Sequence, residues 1–507
     1  MVLDLVVIAV YTATILGVGY WGLRRSKSKS DYLVAGRRLG TFMYSSALSA
    51  IVLGGASTVG GIGLGYSFGL SGAWLVTAIG LGILVLSVFF TRHIVKLKVY
   101  TVIEMLDLRY GGVSGLIPGM VMFLYTFMLT VTSTLAYATI FHVLLGVPNW
   151  AGVLIGGTVV VTYSTMGGMW SITMTDVIQF VIKTLGILFL LAPVAVLHAG
   201  GFAQIHERLG DSFFSPVSIG GATIVTYVLT YTLGLLIGQD IWQRVFTART
   251  PRISVIGGTI TGVYCIIYAV AGAIIGMAAR AVWPDLANPD EAFATIVQEA
   301  LPTGVRGFVL AAALAALMST ASGALIACST VLTTDLIPPL RRMVGQGSGK
   351  TPPAAAGHPE EESVRGYRLA TLVLGAAVVI VASLVTTVIG ALVIAYNILV
   401  GGLFVAILGG LVWRRGTRHG ALWSMAVGTV AVIGTMIATD ILATAPIYVG
   451  LGSSLVVYVV VSLLTPPTPE DVLAEWDRRL RRSSTASVSD TPLPPRQHSV
   501  SKDGSDL

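Results

Sequence analysis

Charge is scarce in this sequence. Only 11% of its 507 residues are Asp, Glu, Lys or Arg, under half the share of an average soluble domain, which is about a quarter. That is too little to coat a globular surface of this size, so an array of soluble domains is excluded. Cysteine is nearly missing too. Cys265 and Cys328 both fall in apolar runs, without metal spacing and too few for an extracellular disulfide framework, and are read as small buried core residues. Ten-residue alternating strands are absent, which argues against a membrane β-barrel. The first apolar run has no basic segment ahead of it, so no cleavable leader is expected. The net charge of +7 does not imply nucleic acid, because the basic residues sit in short segments between apolar runs.

What is present is hydrophobicity, at 54% of residues and a mean hydropathy of +0.84. A bilayer-crossing helix needs about 20 apolar residues, and this length recurs along the chain. Thirteen spans are expected. The first nine run over 3–22, 39–62, 72–91, 115–145, 151–169, 174–198, 217–243, 255–279 and 304–337; the last four cover 368–388, 389–413, 419–440 and 445–464. The fold class is therefore an all-α polytopic membrane protein. Of its 31 lysines and arginines, 27 fall on one side of these spans, only Arg208, Arg280 and Arg306 on the other, and Lys183 within a span. By the positive-inside rule the N-terminus is expected outside and the C-terminus in the cytoplasm. Residues 1–464 form one transmembrane domain, with a flexible inner loop over 343–364. Residues 465–507 form a cytoplasmic tail with one amphipathic helix over Glu470–Arg482. Gly349-Lys350-Thr351 is not a phosphate loop, since Val344 stands where that motif needs glycine and no strand precedes it.

Ionisable residues inside spans are costly and mark functional candidates. Here they are Asp176, Lys183, Asp240 and Asp335, with Asp440 near an outer end. Asp240 and Arg244 are four apart and are expected to pair at a helix end; Asp335 is expected to be solvated. Asp176 and Lys183 lie seven apart on one helix face, about 10 Å along it. Glycine is the second signal, at 54, 55, 60, 61, 63 and 65. Such density permits close helix approach or an unwound stretch whose carbonyls face a cavity, and the neighbouring hydroxyls of Ser49, Ser57 and Thr58 favour the second. Five spans later Thr226–Gly238 is again polar and punctuated by glycine. Interruptions at matching places of two five-helix halves, about 39–198 and 217–413, point to a transporter with inverted repeats and broken first and sixth core helices. Ala311–Thr320 adds a run of small residues ending in two hydroxyls, suited to tight packing or to bonding its own helix.

From 31 to 482 the sequence resembles the sodium:solute symporter family, which has the leucine-transporter type of inverted-repeat fold. The resemblance rests on Asp31-Tyr-Leu-Val-Ala-Gly-Arg37, on Tyr163-Ser-Thr-Met-Gly-Gly-Met-Trp-Ser171 with Thr175-Asp-Val-Ile-Gln179, on Gln243-Arg244, and on Trp413-Arg-Arg-Gly-Thr-Arg-His-Gly-Ala421. Asn149 departs from the family pattern after Gly146-Val-Pro. The resemblance implies a sodium site made by the carbonyls of Ala50 and Leu53 on the first core helix and by Ala316, Ser319 and Thr320 on the eighth. Asp176 on the fifth would supply the countercharge. Hard cations want oxygen ligands, which agrees. For the solute, the resemblance implies that Ser57 and Tyr231 line the cavity. Ser57 stands where sugar carriers have glutamine, which disfavours a hexose. Asn397 and Tyr396 of the tenth core helix either line the same cavity or hydrogen-bond between helices.

The expected function is sodium-coupled uptake of a small organic solute by alternating access, in the plasma membrane. No enzyme activity, cofactor, nucleic acid or obligate protein partner is expected; sodium and membrane lipid are the other partners. A membrane enzyme or channel would show acid–base or metal clusters, or rings of pore charges, and none is visible. Lys183 leaves alternatives open, since the family pattern has an apolar residue there. In other carriers of this fold a lysine on the fifth core helix takes the sodium position, giving a proton-coupled or sodium-independent carrier. Otherwise Lys183 pairs with Asp176 or attracts an anionic solute. The anionic contact is the favoured expectation, with a carboxylate or amino acid as solute.

Overall fold

The computed structural model describes residues 2–112, 116–343, 359–385 and 388–481. Among these the chain is all-helical, with no strand beyond one isolated bridge between Leu39 and Ala248. Ten helices are long and apolar enough to cross a membrane, eleven if the bent pair Gly221–Leu235 and Gln239–Val245 counts as one span. Two of these runs, Ala56–Leu97 and Asn149–His198, each cover two of the thirteen expected spans and are interrupted by a positive-φ glycine, at Gly69 and Gly168, while Thr41–Val52 is too short to span alone. Within the second of these, Gly168 adopts φ +56° and ψ −142°, a conformation open to glycine without a Cβ penalty. The helix kinks there with Tyr32 packed on it. Positions 344–358 of the expected inner loop, Gly349-Lys350-Thr351 among them, and the tail from 482 lie outside the described residues, while helix Pro359–Ala382 begins inside that loop's expected range.

Two helices are broken in mid-course. The first core helix runs over Thr41–Val52, opens at Leu53–Gly55, and resumes as a π-turn over Ala56–Gly60 leading into Gly61–Phe68. The sixth ends its first half at Leu235 and restarts as Gln239–Val245. The segment that leads into the first and the one that leaves the sixth are tied together: Leu39 N–H donates to Thr247 O and Arg249 N–H donates to Leu39 O, each at 3.1 Å. The eighth core helix, Val305–Val331, is buried along nearly its whole length. Its alanines at 311–313, 315 and 316 present little bulk, so neighbouring helices close on it directly. The first broken helix uses this at Gly54, where a Cβ would lie 2.6 Å from Thr320 Cβ. The packing thus brings the break of the first helix against the hydroxyl end of the eighth.

Candidate cation site and solute cavity

A helix that stops inside a protein leaves its last carbonyls without intrahelical partners and its negative dipole end exposed. At the end of Thr41–Val52 these carbonyls find a cation. Lys183 Nζ donates to Ser49 O at 2.8 Å, Ala50 O at 3.2 Å and Leu53 O at 3.4 Å. An ammonium has three N–H donors, and all three are satisfied. Lys183 ends the helix Asn149–Lys183 and is wholly buried, with Nζ 6.0 Å from the centre of the Tyr268 ring. On the other side Ser319 Oγ donates to Ala50 O at 2.7 Å and to Ala316 O at 2.9 Å, and Thr320 Oγ1 donates to Ile51 O. Ala50, Leu53, Ala316 and Ser319, expected to hold sodium, therefore meet around one point, with Thr320 beside them.

The donor set has the oxygen chemistry a hard monovalent cation wants. The charge balance does not suit one. Both first-helix carbonyls already accept from the lysine ammonium, and a sodium ion among them would sit against a like charge. The carboxylate expected to offset it is committed elsewhere: Asp176 Oδ2 accepts from Arg244 at 2.9 Å, both side chains being buried. Among the described residues Lys183 makes no ion pair with Asp176. With Lys183 charged and seated here, sodium does not fit this place.

The expected pairing of Asp240 with Arg244 is corrected by the same geometry. Gly238 breaks the sixth helix just before them, and in the short helix that follows Arg244 turns to Asp176 while Asp240 Oδ1 accepts from Tyr125 Oη at 2.9 Å. Asp335 is not solvated but buried, and accepts from Thr101 Oγ1 at 3.0 Å.

Beside the cation place lies a small cavity between the two broken helices. Gly55 and Ser57 bound it at the first break, Leu235 and Asp240 at the sixth, Thr132 and Ser133 on the helix Leu116–Leu145, and Tyr396 on the tenth core helix. Ser57 lines it and Lys183 does not. Tyr231 stands one layer behind, its ring 5.3 Å from that of Tyr396. Asn397 accepts from Thr230 Oγ1 at 3.4 Å, a bond between the sixth and tenth helices. Asp240 is the one charged side chain lining the cavity among the described residues, and sequence reasoning assigned it to a helix-end pair instead. The available signal was its place two residues after Gly238, at the second helix break.

Two broken helices crossing at a buried cavity, within a bundle of apolar helices, define a multi-pass membrane carrier. The profile of the sodium:solute symporter family matches residues 32–428, and the chain belongs to that family. It is 28% identical over 349 residues to the human sodium/iodide cotransporter, a match that covers 64% of this chain and 54% of that protein. It is 26% identical over 439 residues to the high-affinity proline transporter PutP of Bacillus subtilis strain 168, covering 82% of this chain and 88% of that one. The fold is similar to a solved substrate-bound, outward-open Na+-coupled sialic acid symporter, with a TM-score of 0.74 at 19% identity over 92% of this chain and 99% of that one. Family membership makes the protein a secondary transporter, not an enzyme. Sodium-coupled solute uptake is the function that membership supports, with sodium as the family's coupling ion and no cofactor indicated.

Proposed function

We propose that this chain carries a small zwitterionic organic solute, an amino acid in class, across the plasma membrane into the cell by alternating access. The observation that supports it is the composition of the cavity lining between the two broken helices. That lining offers one carboxylate, Asp240, which suits an ammonium group. The helix half that begins after Gly55 turns its positive end towards the same space, which suits a carboxylate. The expected anion contact rested on Lys183, which is not in the lining, so only a solute with both charges is served. The test is thermal-shift binding to the purified full chain, comparing amino acids with matched amines and carboxylic acids, with and without sodium. Zwitterions should bind, and Asp240→Asn should weaken them about ten- to a hundredfold, the contribution of a hydrogen bond to a charged group. Equally tight binding of a plain carboxylic acid, indifferent to Asp240→Asn, would overturn the assignment.

Residues 1–464 act as one transport unit with repeats over 39–198 and 217–413, the N-terminus outside and the C-terminus in the cytoplasm. The 27 basic side chains on one side support this orientation. Exposed apolar side chains such as Phe189, Ile380 and Ile437 suit contact with lipid. The tail helix Glu470–Arg481 joins the same basic face, where Lys96 Nζ donates to Leu480 O and Arg414 pairs with Asp477. A second reading of the energy coupling is favoured by the seat of Lys183: a carrier of the same fold whose cation place is filled by the protein itself.

A further inference from the structure

The geometry points to Lys183 as a built-in cation: its ammonium holds the position sodium takes in the family, and this carrier assembles its first, fifth and eighth core helices without binding sodium there. The inference rests on membership of the carrier family, and it departs from that family's coupling ion.

Three observations carry it. The ammonium's three donors are matched by the carbonyls of Ser49, Ala50 and Leu53 at 2.8, 3.2 and 3.4 Å, which leaves it no unmet donor for water or solute. Ala50 O is shared between Lys183 and Ser319 Oγ, at 3.2 and 2.7 Å. The lysine thereby does what a bound cation would do: it holds the broken end of the first helix on the eighth. Finally, the local charges are already allocated. Asp176 is paired with Arg244, and the ammonium's direct contacts are carbonyl dipoles and the Tyr268 ring face. These compensate one positive charge and leave nothing for a second.

This differs from a lysine that merely anchors two helices. A structural anchor on a site away from sodium would leave sodium binding as it is in relatives. A tethered cation excludes sodium and, once removed, leaves the oxygens free to receive it. It differs too from an anion-contacting lysine, since Nζ is turned to carbonyls and Lys183 does not line the cavity.

The experiment measures radioactive sodium binding to the purified full chain in detergent, with no solute present, for the native protein, Lys183→Met, Lys183→Ala and Lys183→Met/Ser319→Ala. The native chain should show no saturable sodium binding. Lys183→Met or Lys183→Ala, checked for folding by gel-filtration profile and thermal unfolding, should gain saturable binding, and adding Ser319→Ala should abolish that gain. Saturable sodium binding by the native chain overturns the proposal whether or not any variant folds. A folded Lys183→Met and Lys183→Ala that both fail to gain binding overturn it as well. Solute counterflow into proteoliposomes, run in sodium and in choline, keeps the readings apart. Counterflow absent in both media defeats the carrier assignment, whereas counterflow that requires sodium defeats only the tethered cation.

Discussion

The Arg244 guanidinium holds the Asp176 carboxylate at 2.9 Å, with 1% and 0% of the two side chains exposed. The pair joins the short second half of the sixth core helix to the fifth, and Arg244 also points a second nitrogen at Met169 Sδ, 2.6 Å away. Breaking a buried ion pair from one side strands the other charge, at a cost of about 3–5 kcal/mol. Asp176→Asn and Arg244→Met should each lower thermal stability in detergent and slow solute counterflow, with Asp176→Glu partly restoring both. The double variant Asp176→Asn/Arg244→Met should lie closer to the native protein than either single change. Unfolding curves that place both Asp176→Asn and Arg244→Met at the native midpoint would show the pair to be idle.

Ser319 and Thr320 lead to a second expectation, this time about what does not change. Removing the Ser319 hydroxyl takes one donor from Ala50 O, which keeps its bond to Lys183. Thr320→Ala frees Ile51 O. Each loss is expected to cost about 0.5–1.5 kcal/mol, the net contribution of a hydrogen bond. Both variants should thus be less stable and somewhat slower, while the response of uptake to external sodium stays flat. Uptake rates measured across a sodium series would reveal direct sodium ligation by either hydroxyl as a raised half-saturating concentration.

Much of this architecture is legible from residue order. Apolar runs of spanning length, the glycines from 54 to 65, and the polar stretch before Gly238 mark the helices and the two breaks. The oxygens that converge are named by the family resemblance rather than by pattern, because a small-residue run ending in Ser319 and Thr320 equally suits tight packing or bonding to its own helix. What fills the place between them is not legible. Whether Lys183 reaches the carbonyl of Ala50, the carboxylate of Asp176 or the cavity depends on the rotation of its helix, a tertiary property. The partner of Arg244 misleads for a related reason. A spacing of four predicts a pair with Asp240 on an uninterrupted helix, but the restart at Gln239 gives Asp240 a first-turn position facing Tyr125.

The turn Pro289–Glu291 packs on the first core helix, where a Cβ on Gly63 would lie 3.0 Å from Asp290 Oδ1. Burial there, with the neighbouring charge of Glu291, raises the Asp290 carboxyl above its ordinary range. The folded chain therefore binds this proton more tightly than the unfolded chain. The resulting stabilisation is full below the ordinary Asp value and fades as pH rises through the raised one. Asp290→Asn should flatten that part of the profile. Thermal midpoints of native and variant protein across a pH series test this, and the difference between them should grow with pH in favour of the variant.

Gly54 sets the last expectation, because it is where the break of the first helix touches the eighth. A Cβ there would sit 2.6 Å from Thr320 Cβ and 2.9 Å from Thr320 Cγ2, both far inside van der Waals contact. Thr320 is β-branched and wedged between helices, so it cannot rotate away freely. Gly54→Ala should therefore push the two helices apart, at about 1–3 kcal/mol for an overpacked core. The same shift widens the spacing across which Ser319 reaches Ala50 O, and it deforms the cavity that both Gly54 and Thr320 line. Loss of solute binding should exceed the loss of stability. Thr320→Ala removes the clashing atoms and should rescue Gly54→Ala in part, so the two substitutions are expected to be strongly non-additive, as contacting residues are. Solute affinity measured for the native chain, both single variants and the double variant closes the cycle. Additive losses would mean that the two residues act separately and that this contact does not set the shape of the cavity.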